Sequence, residues 1–355
     1  MTGGHTTRIV DHPGKDNHAK DQAQISTTRQ RGWLLLEWLG TQIFGLLPDH
    51  PFVNRAIAKL FYFFCNNKTL PNLNEPIRFN EKLINLKLSA AARTQLRREV
   101  TDKEHVKTFV TRTCGPGHVT PTLGLIRQGD DIDGLVFPLP CVVKPTHSSQ
   151  EVLHLATHQP TKAERGRMNY WLRKDYFDAS REPNYKGLDR KLIIEPIIGG
   201  QFGALDDVKV MCFGGKPKLI QVDHGRYDGH HRDFYDLDGR HLPVSLKYPN
   251  SGRAFDYHDQ LKDLLDMAGA LCAGFLFMRA DFYIDGSEIL VGELTSFPSN
   301  CVHGFRPLAA DLTIARLFDE PELALSPALF DDNALDISDG QDDLSGIKRA
   351  HDLAA

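Results

Sequence analysis

Hydrophobic and polar positions in the stretch from Phe275 to Thr295 form two runs of β-branched and aromatic residues punctuated by Asp285-Gly286. This pattern predicts two antiparallel strands joined by a short turn. Period-2 alternation puts Arg279 and Asp281 on one face of the first strand and Met278, Ala280 and Phe282 on the other. Glu293 on the returning strand is expected near Asp281. Two neighbouring carboxylates repel unless a proton or a cation lies between them. An all-oxygen set of this kind suits a hard cation such as Mg²⁺, which usually arrives holding a substrate's phosphates.

Elsewhere the pattern alternates between helix and strand periods. Residues 1–30 lack periodicity and are expected to form a disordered leader. Residues 33–47 are mostly apolar with a polar stripe at Glu37 and Thr41, predicting an amphipathic helix with a wide apolar face. Val53, Ala56, Ile57, Leu60, Phe61 and Phe64 follow helical spacing and are expected to form the packed face of a second helix. A third opens over 76–82 with Asn80 as its expected cap, and a fourth spans about 104–113 after Thr101-Asp102-Lys103. Segments 134–144, 151–156 and 191–198 read as strands, with a helix over 162–177 between them. Residues 207–213 and 218–222 read as a hairpin around Gly214-Gly215. Helices are predicted over 256–271 and 311–317. Mixed helices and late antiparallel hairpins make the class α+β.

Composition narrows the partners. The 355 residues suffice for one large or several smaller cores without disulfide staples. The six cysteines show no C-x-x-C spacing, which points to a reducing compartment. No apolar run reaches the roughly 20 residues needed to cross a bilayer, so a cytoplasmic protein is expected. The wide apolar face of 33–47 suggests peripheral contact at the inner face of a membrane, although nearby basic residues are confined to Arg29 and Arg31. The net charge of −4 is exceeded by the tail, where residues 331–355 carry seven Asp against one Lys and one Arg. The body is thus almost neutral, and a nucleic-acid partner is not expected. The oligomeric state is not encoded in these patterns.

Candidate chemistry extends beyond the carboxylate pair. Lys144 closes an apolar strand and precedes Thr146-His147-Ser148-Ser149-Gln150, a polar loop able to offer N–H groups and hydroxyls to a phosphate. Lys103 stands at a helix N-terminus, where anions bind readily, and Lys209 shares a strand face with Asp207. Glu195-Pro196-Ile197-Ile198 ends a strand whose carboxylate and carbonyls suit an exocyclic amine and a flat base. Arg226 and Arg232 are candidates for binding a substrate carboxylate. His224, His230 and His231 cluster in sequence without zinc-site spacing.

In this order the pieces resemble the TupA-like ATP-grasp family, carried by Phe79-Asn-Glu-Lys82, Thr101-Asp-Lys103, Val142-Val-Lys144-Pro-Thr-His147, the 207–213 strand, Arg232-Asp-Phe-Tyr-Asp236, Arg279-Ala-Asp281-Phe-Tyr283 and Gly292-Glu-Leu-Thr295. The resemblance covers about residues 76–320. It implies an ATP-grasp fold over 99–320, with a helical region at 31–98 and an acidic, disordered tail at 321–355. It also implies ATP and Mg²⁺ as cofactors. Lys103, Lys144 and the loop residues His147, Ser148 and Ser149 would hold phosphates, Glu195 to Ile198 the adenine, and Asp207 with Lys209 the region near the ribose. Asp281, Glu293 and Thr295 would hold metal, Thr295 standing where many relatives carry Asn. The implied reaction joins a carboxylate to an amine through an acyl phosphate, with Arg279 at the developing oxyanion. The family's link to cell-surface polysaccharides suggests an amino acid joined to a uronic acid; free amino acids, small peptides or a scaffold without catalysis are the alternatives.

Overall fold

The computed structural model describes residues 43–66, 68–199, 205–225 and 229–330. The expected leader, most of the 33–47 helix, Arg226 and the tail from 331 onward lie outside the described residues. The chain divides into two compact units. One comprises Met1–Pro48 with Asp178–Ser180 and is described only as a single helical turn at Phe44–Leu46 and residues flanking it. The second comprises Asp49–Phe177 with Arg181–Ala355 and contains both β-sheets.

A six-stranded antiparallel sheet dominates the second unit, built from β5 (Asp207–Phe213), β6 (Lys216–His224), β7 (His231–Tyr235), β8 (His241–Leu242), β9 (Phe277–Asp285) and β10 (Glu288–Thr295) in the order β10-β9-β5-β6-β7-β8. One face is apolar over β9, β10, β5 and most of β6, and turns polar at the β6–β7 end, where His224 and the buried Asp233 stand. Val208, Val210, Val222, Met278, Ala280 and Phe282 pack there on Leu264, Met267, Ala268 and Leu271 and on Val106 and Val110. The opposite face is split along its length. Met211, Phe213, Leu219, Phe234 and Phe277 form its apolar half, covered by Phe79, Leu83, Ala310 and Ile314. Phe79 meets the rings of Phe277 at 5.7 Å and Phe305 at 5.1 Å, edge on. The same alternation continued along β5, β6, β7 and β9 leaves Asp207, Lys209, Gln221, Asp223, Arg232, Arg279 and Asp281 on the other half.

Glu293 joins that half through a bulge. Val291 pairs with Phe282 and Glu293 with Asp281, leaving Gly292 as the extra residue. Simple alternation from Ile289 and Val291 would have turned Glu293 into the core; one inserted residue resets the parity. Gly292 is required for a second reason: a Cβ there would lie 2.8 Å from the ring of Tyr283.

The smaller sheet takes β1 (Gly124–Arg127), β2 (Cys141–Pro145), β3 (Leu153–Leu155) and β4 (Lys191–Pro196) in the antiparallel order β1-β4-β2-β3. Ile126, Cys141, Val143, Leu153, Leu192 and Ile194 pack against Met168, Trp171 and Leu172 around α5 (Lys162–Trp171). Lys144, Lys191 and Glu195 therefore stand on the other face. The helices are α1 (Pro51–Cys65), α2 (Phe79–Leu88), α3 (Gln95–Thr101), α4 (His105–Cys114), α5, α6 (Tyr176–Ser180), α7 (Leu261–Cys272) and α8 (Leu308–Arg316). Among the described residues no helix is long and apolar enough to cross a membrane.

Several local expectations differ. Helix α1 buries Asn54, Ile57, Ala58, Phe61 and Tyr62, whereas Leu60 and Phe64 are exposed. Its apolar residues run nearly all round, so periodicity could not choose the face. Asn80 lies inside α2, and Glu81 instead caps it by accepting from the Arg78 and Ile77 amides, each at 3.0 Å. The 134–144 strand shrinks to Cys141–Pro145, because Pro138 and Pro140 supply no N–H to a ladder and Val136 is exposed. The 162–177 helix is broken between Trp171 and Tyr176, and α7 starts at Leu261 rather than Asp256.

Gly292→Ala is expected to lower stability by about 1–3 kcal/mol because the Tyr283 ring must move; urea denaturation checks this, and an unchanged midpoint would contradict the bulge packing.

Candidate functional site

The carboxylates and cations of the split face form a register-locked lattice. Glu293 lies opposite Asp281, Asp281 opposite Lys209, Lys209 opposite Gln221, and Asp223 opposite Arg232. The Arg279 guanidinium is the hinge of the first group. Its Nε donates to Asp281 Oδ1 at 2.6 Å, and its Nη2 lies 2.5 Å from Asp281 Oδ2, 3.2 Å from Thr295 Oγ1 and 3.9 Å from Glu293 Oε1. One positive nitrogen thus sits within reach of oxygens from all three residues expected to hold metal. Thr295 Oγ1 also donates to Glu293 Oε1 at 3.2 Å. Burial pushes the Asp281 carboxyl upward, against the pull of Arg279 and Lys209.

Lys209 bridges to the neighbouring group, its Nζ 3.2 Å from both Asp207 Oδ2 and Asp223 Oδ2. Arg232 spends its fork on Asp223, with Nε at 2.5 Å and Nη2 at 3.0 Å, and gives Nη1 to the Leu246 carbonyl at 3.3 Å. Burial raises the Asp223 carboxyl, but Lys209, His230 and Arg232 together hold it far below the usual carboxylate range. The expectation that Arg232 takes a substrate carboxylate in bidentate fashion is therefore corrected, since its two fork nitrogens are already engaged. His230 stacks on Tyr248 at 3.7 Å, while His224 bonds Asp206 through Nδ1 at 2.7 Å; these rings serve separate contacts.

The small sheet supplies the lysines. Glu195 is clamped between Lys144 Nζ and Lys107 Nζ, each at 2.5 Å. Burial lowers the Lys144 ammonium, but Glu195, Tyr283 and Glu293 outweigh it and push the group up. The Glu195 carboxyl, raised by burial, is pulled below its ordinary value by the two lysines. That clamp occupies the carboxylate expected to meet an exocyclic amine, leaving the half-buried 196–198 segment for a base. Lys103 donates its ammonium to the Ser148 carbonyl, and its backbone N–H bonds the Thr146 carbonyl at 3.3 Å. Burial lowers the Lys103 ammonium, and the charges it feels include Glu293, Lys144 and Glu195.

The loop after Lys144 divides its roles. His147 is buried, with Nε2 on the Trp171 carbonyl at 3.1 Å and Nδ1 accepting from the Lys191 N–H at 3.4 Å. Both ring nitrogens are thus used to pin the loop. Ser148 Oγ donates to Glu151 Oε2 at 2.5 Å, and Ser149 shares a hydrogen bond with Tyr185. The 102–105 turn is fixed by Asp102, whose Oδ1 accepts from the Glu104 amide at 2.8 Å.

Sequence reasoning missed Lys107, Glu182 and Tyr185. Lys107 had a weak signal, since it follows Lys103 by four residues, in the first turn of α4. Glu182 is buried, feels both Lys87 and Glu293, and has its carboxyl pushed up by burial to about 7. Tyr185 is pushed up by burial and by the charges of Glu182 and Glu293, with Arg279 also in range. The larger cavity, about 500 Å³, lies elsewhere, lined by Gln95, Arg98, Asp102, His105 and Asp189 among others. Asp102, Glu104 and His105 lie close enough for a metal, and the Lys191 ammonium is already paired with both carboxylates.

A folded carboxyl at about 7, above the ordinary 4.5, stabilises fully below the unfolded value and loses that contribution as pH rises through 7. Relative to Glu182→Gln, the parent should therefore lose on the order of 3 kcal/mol between pH 5 and pH 8.5. Chemical denaturation at both pH values measures the gap, and a pH-independent gap contradicts the burial argument.

Solved structures to which the chain is similar include the D-alanine–D-alanine ligase of Bacillus anthracis, at 18% identity and TM-score 0.36 over 65% of each chain. The same enzyme complexed with ATP matches at 16% identity and TM-score 0.34, and that of Helicobacter pylori at 14% and 0.35, covering 64% of this chain and 60% of that one. The chain spans 56% of the length of the ATP-complexed ligase. No curated protein matches it. The family model described as TupA-like ATPgrasp matches residues 81–319, which include both sheets and every described member of the candidate site, and the chain belongs to that ATP-grasp family.

Proposed function

We propose that this protein is an ATP-dependent carboxylate–amine ligase. The observation that carries the reading is the convergence of Asp281, Glu293 and Thr295 oxygens on one cationic position, with Glu293 among the charges that Lys103 and Lys144 feel. An all-oxygen set occupied by a guanidinium nitrogen suits a hard divalent ion. Asp281 and Glu293, with Thr295, would hold Mg²⁺, which when bound supplies charge neutralisation for the transferring phosphoryl group.

This chain's own groups do the rest. Lys103 and Lys144 place positive charge where phosphate oxygens gather, and Glu195 keeps Lys144 protonated. Residues 196–198 offer carbonyls for the base, and Asp207 lies beside Lys209 for the ribose. ATP passes its γ-phosphoryl to a substrate carboxylate, releasing ADP and leaving an acyl phosphate. An amine then attacks the acyl carbon, a proton leaves the nitrogen, and phosphate departs to give the amide. Arg279, beside Asp281 on the same strand face, would donate to the oxyanion that forms at this step. Family membership supports a substrate carboxylate on a cell-surface saccharide or its precursor.

Purified protein with Mg²⁺ and ATP is expected to release ADP only when a suitable uronic acid and amine are supplied. Glu293→Ala should cut that rate at least about a hundredfold while circular dichroism stays unchanged. Full activity in the variant sinks the metal assignment, and no substrate-dependent ADP across uronic acids and amino acids sinks the ligase reading.

A further inference from the structure

Asp102 directly precedes Lys103 in the chain, yet its side chain is fully buried. Four donors engage its carboxylate, which offers about four lone-pair sites. Oδ1 accepts from the backbone N–H groups of Glu104 at 2.8 Å and His105 at 3.3 Å, at the start of α4. Oδ2 accepts from the Thr146 hydroxyl at 3.2 Å and lies 3.3 Å from the Lys191 ammonium. Asp102 is among the residues lining the larger cavity, but with its oxygens engaged in this way it ties elements together rather than binding a ligand.

The two oxygens serve different parts of the candidate site. Oδ1 fixes the turn that carries Lys103. Oδ2 reaches the end of the β2–β4 pair, where Lys144 stands opposite Ile193 and the Thr146 N–H continues the ladder to the Lys191 carbonyl at 2.9 Å. The Lys103 N–H bonds the Thr146 carbonyl at 3.3 Å, and its ammonium donates to the Ser148 carbonyl. Lys191 gives its own N–H to His147 Nδ1 at 3.4 Å. Lys103 is thus held at both ends against the loop that follows Lys144, and Asp102 bonds both the lysine's turn and that loop. Thr146 and Lys191 are as buried as Asp102, so water does not compete for these contacts.

Resting on the ligase reading above, we propose that Asp102 is a positioning residue for the nucleotide's phosphates: it touches none of them, and through Thr146 it registers Lys103 against the 146–149 loop so that both meet the same phosphate group. Such a site depends on placement, since a shift of about 1 Å can cost about a hundredfold. The Thr146 hydroxyl is used inward, on Asp102, rather than on the ligand. Without that bond α4 keeps the amide contacts of Oδ1 and the small sheet keeps its ladder, while the registration between them loosens. Lys191 retains its ion pair with Glu104, so its charge stays compensated when the Asp102 charge is removed.

The test is calorimetry on the full chain with the Mg²⁺ complex of a non-hydrolysable ATP analogue and, separately, with adenosine. Thr146→Val and Asp102→Asn should each weaken the analogue at least about tenfold while adenosine affinity stays within about twofold, and Thr146→Ser should restore the parent value. A double-mutant cycle shows whether the pair acts through the lysine: Thr146→Val combined with Lys103→Met should bind the analogue no more weakly than Lys103→Met alone. Analogue affinity unchanged by Thr146→Val, a comparable loss for adenosine, or additive losses in the cycle overturns the positioning role. A parent that does not bind the analogue overturns the ligase reading instead.

Discussion

Two carboxylates on one face of one sheet, Asp281 and Glu293, set the constraint on which the rest of this structure depends. They are brought opposite each other by the single-residue bulge at Gly292, and two like charges facing each other across a strand pair call for a cation between them. Arg279 answers that need from the same strand. Lys209, opposite Asp281 on the next strand, adds its charge there while its ion pairs with Asp207 and Asp223 tie in Arg232. The charged half of the sheet is therefore a chain of compensations, in which Arg279 and Lys209 are each shared between two acids.

The lattice survives burial because the other half of the same face is anchored. Phe213, Phe277 and Phe79 interlock at ring separations of 5.1–6.3 Å and hold α2 across the sheet. From that anchored helix Lys87 reaches the 299–301 turn. Packing at one end of the strands thus positions charge at the other. The small sheet repeats the logic, with Trp171 and Leu192 filling one face while Lys144 and Glu195 pair across the other.

Much of this was legible in the residues. Strand alternation around Arg279 and Asp281 was unambiguous because Met278, Ala280 and Phe282 are uniformly apolar. The placement of Glu293 rested on the hairpin alone, since periodicity from Val291 points it into the core and only Gly292 hints at the bulge. Three-dimensional pairing explains the remaining differences. Nothing local reveals that Arg232 pairs with Asp223, or that Lys107 clamps Glu195, because those partners come from other elements. His147 looked like loop chemistry, yet its partners at Trp171 and Lys191 are distant in sequence and turn it inward. Helix α1 was legible as a helix but not as a face.

The central claim is that Asp281 and Glu293 are carboxylates built to share a divalent cation with a bound nucleotide. Electron paramagnetic resonance of Mn²⁺, titrated into the protein with a non-hydrolysable ATP analogue, reads this without turnover. Nucleotide-dependent Mn²⁺ binding is expected in the parent, weakened at least about tenfold in Asp281→Asn and in Glu293→Gln. Mn²⁺ affinity left unchanged by both substitutions would contradict it.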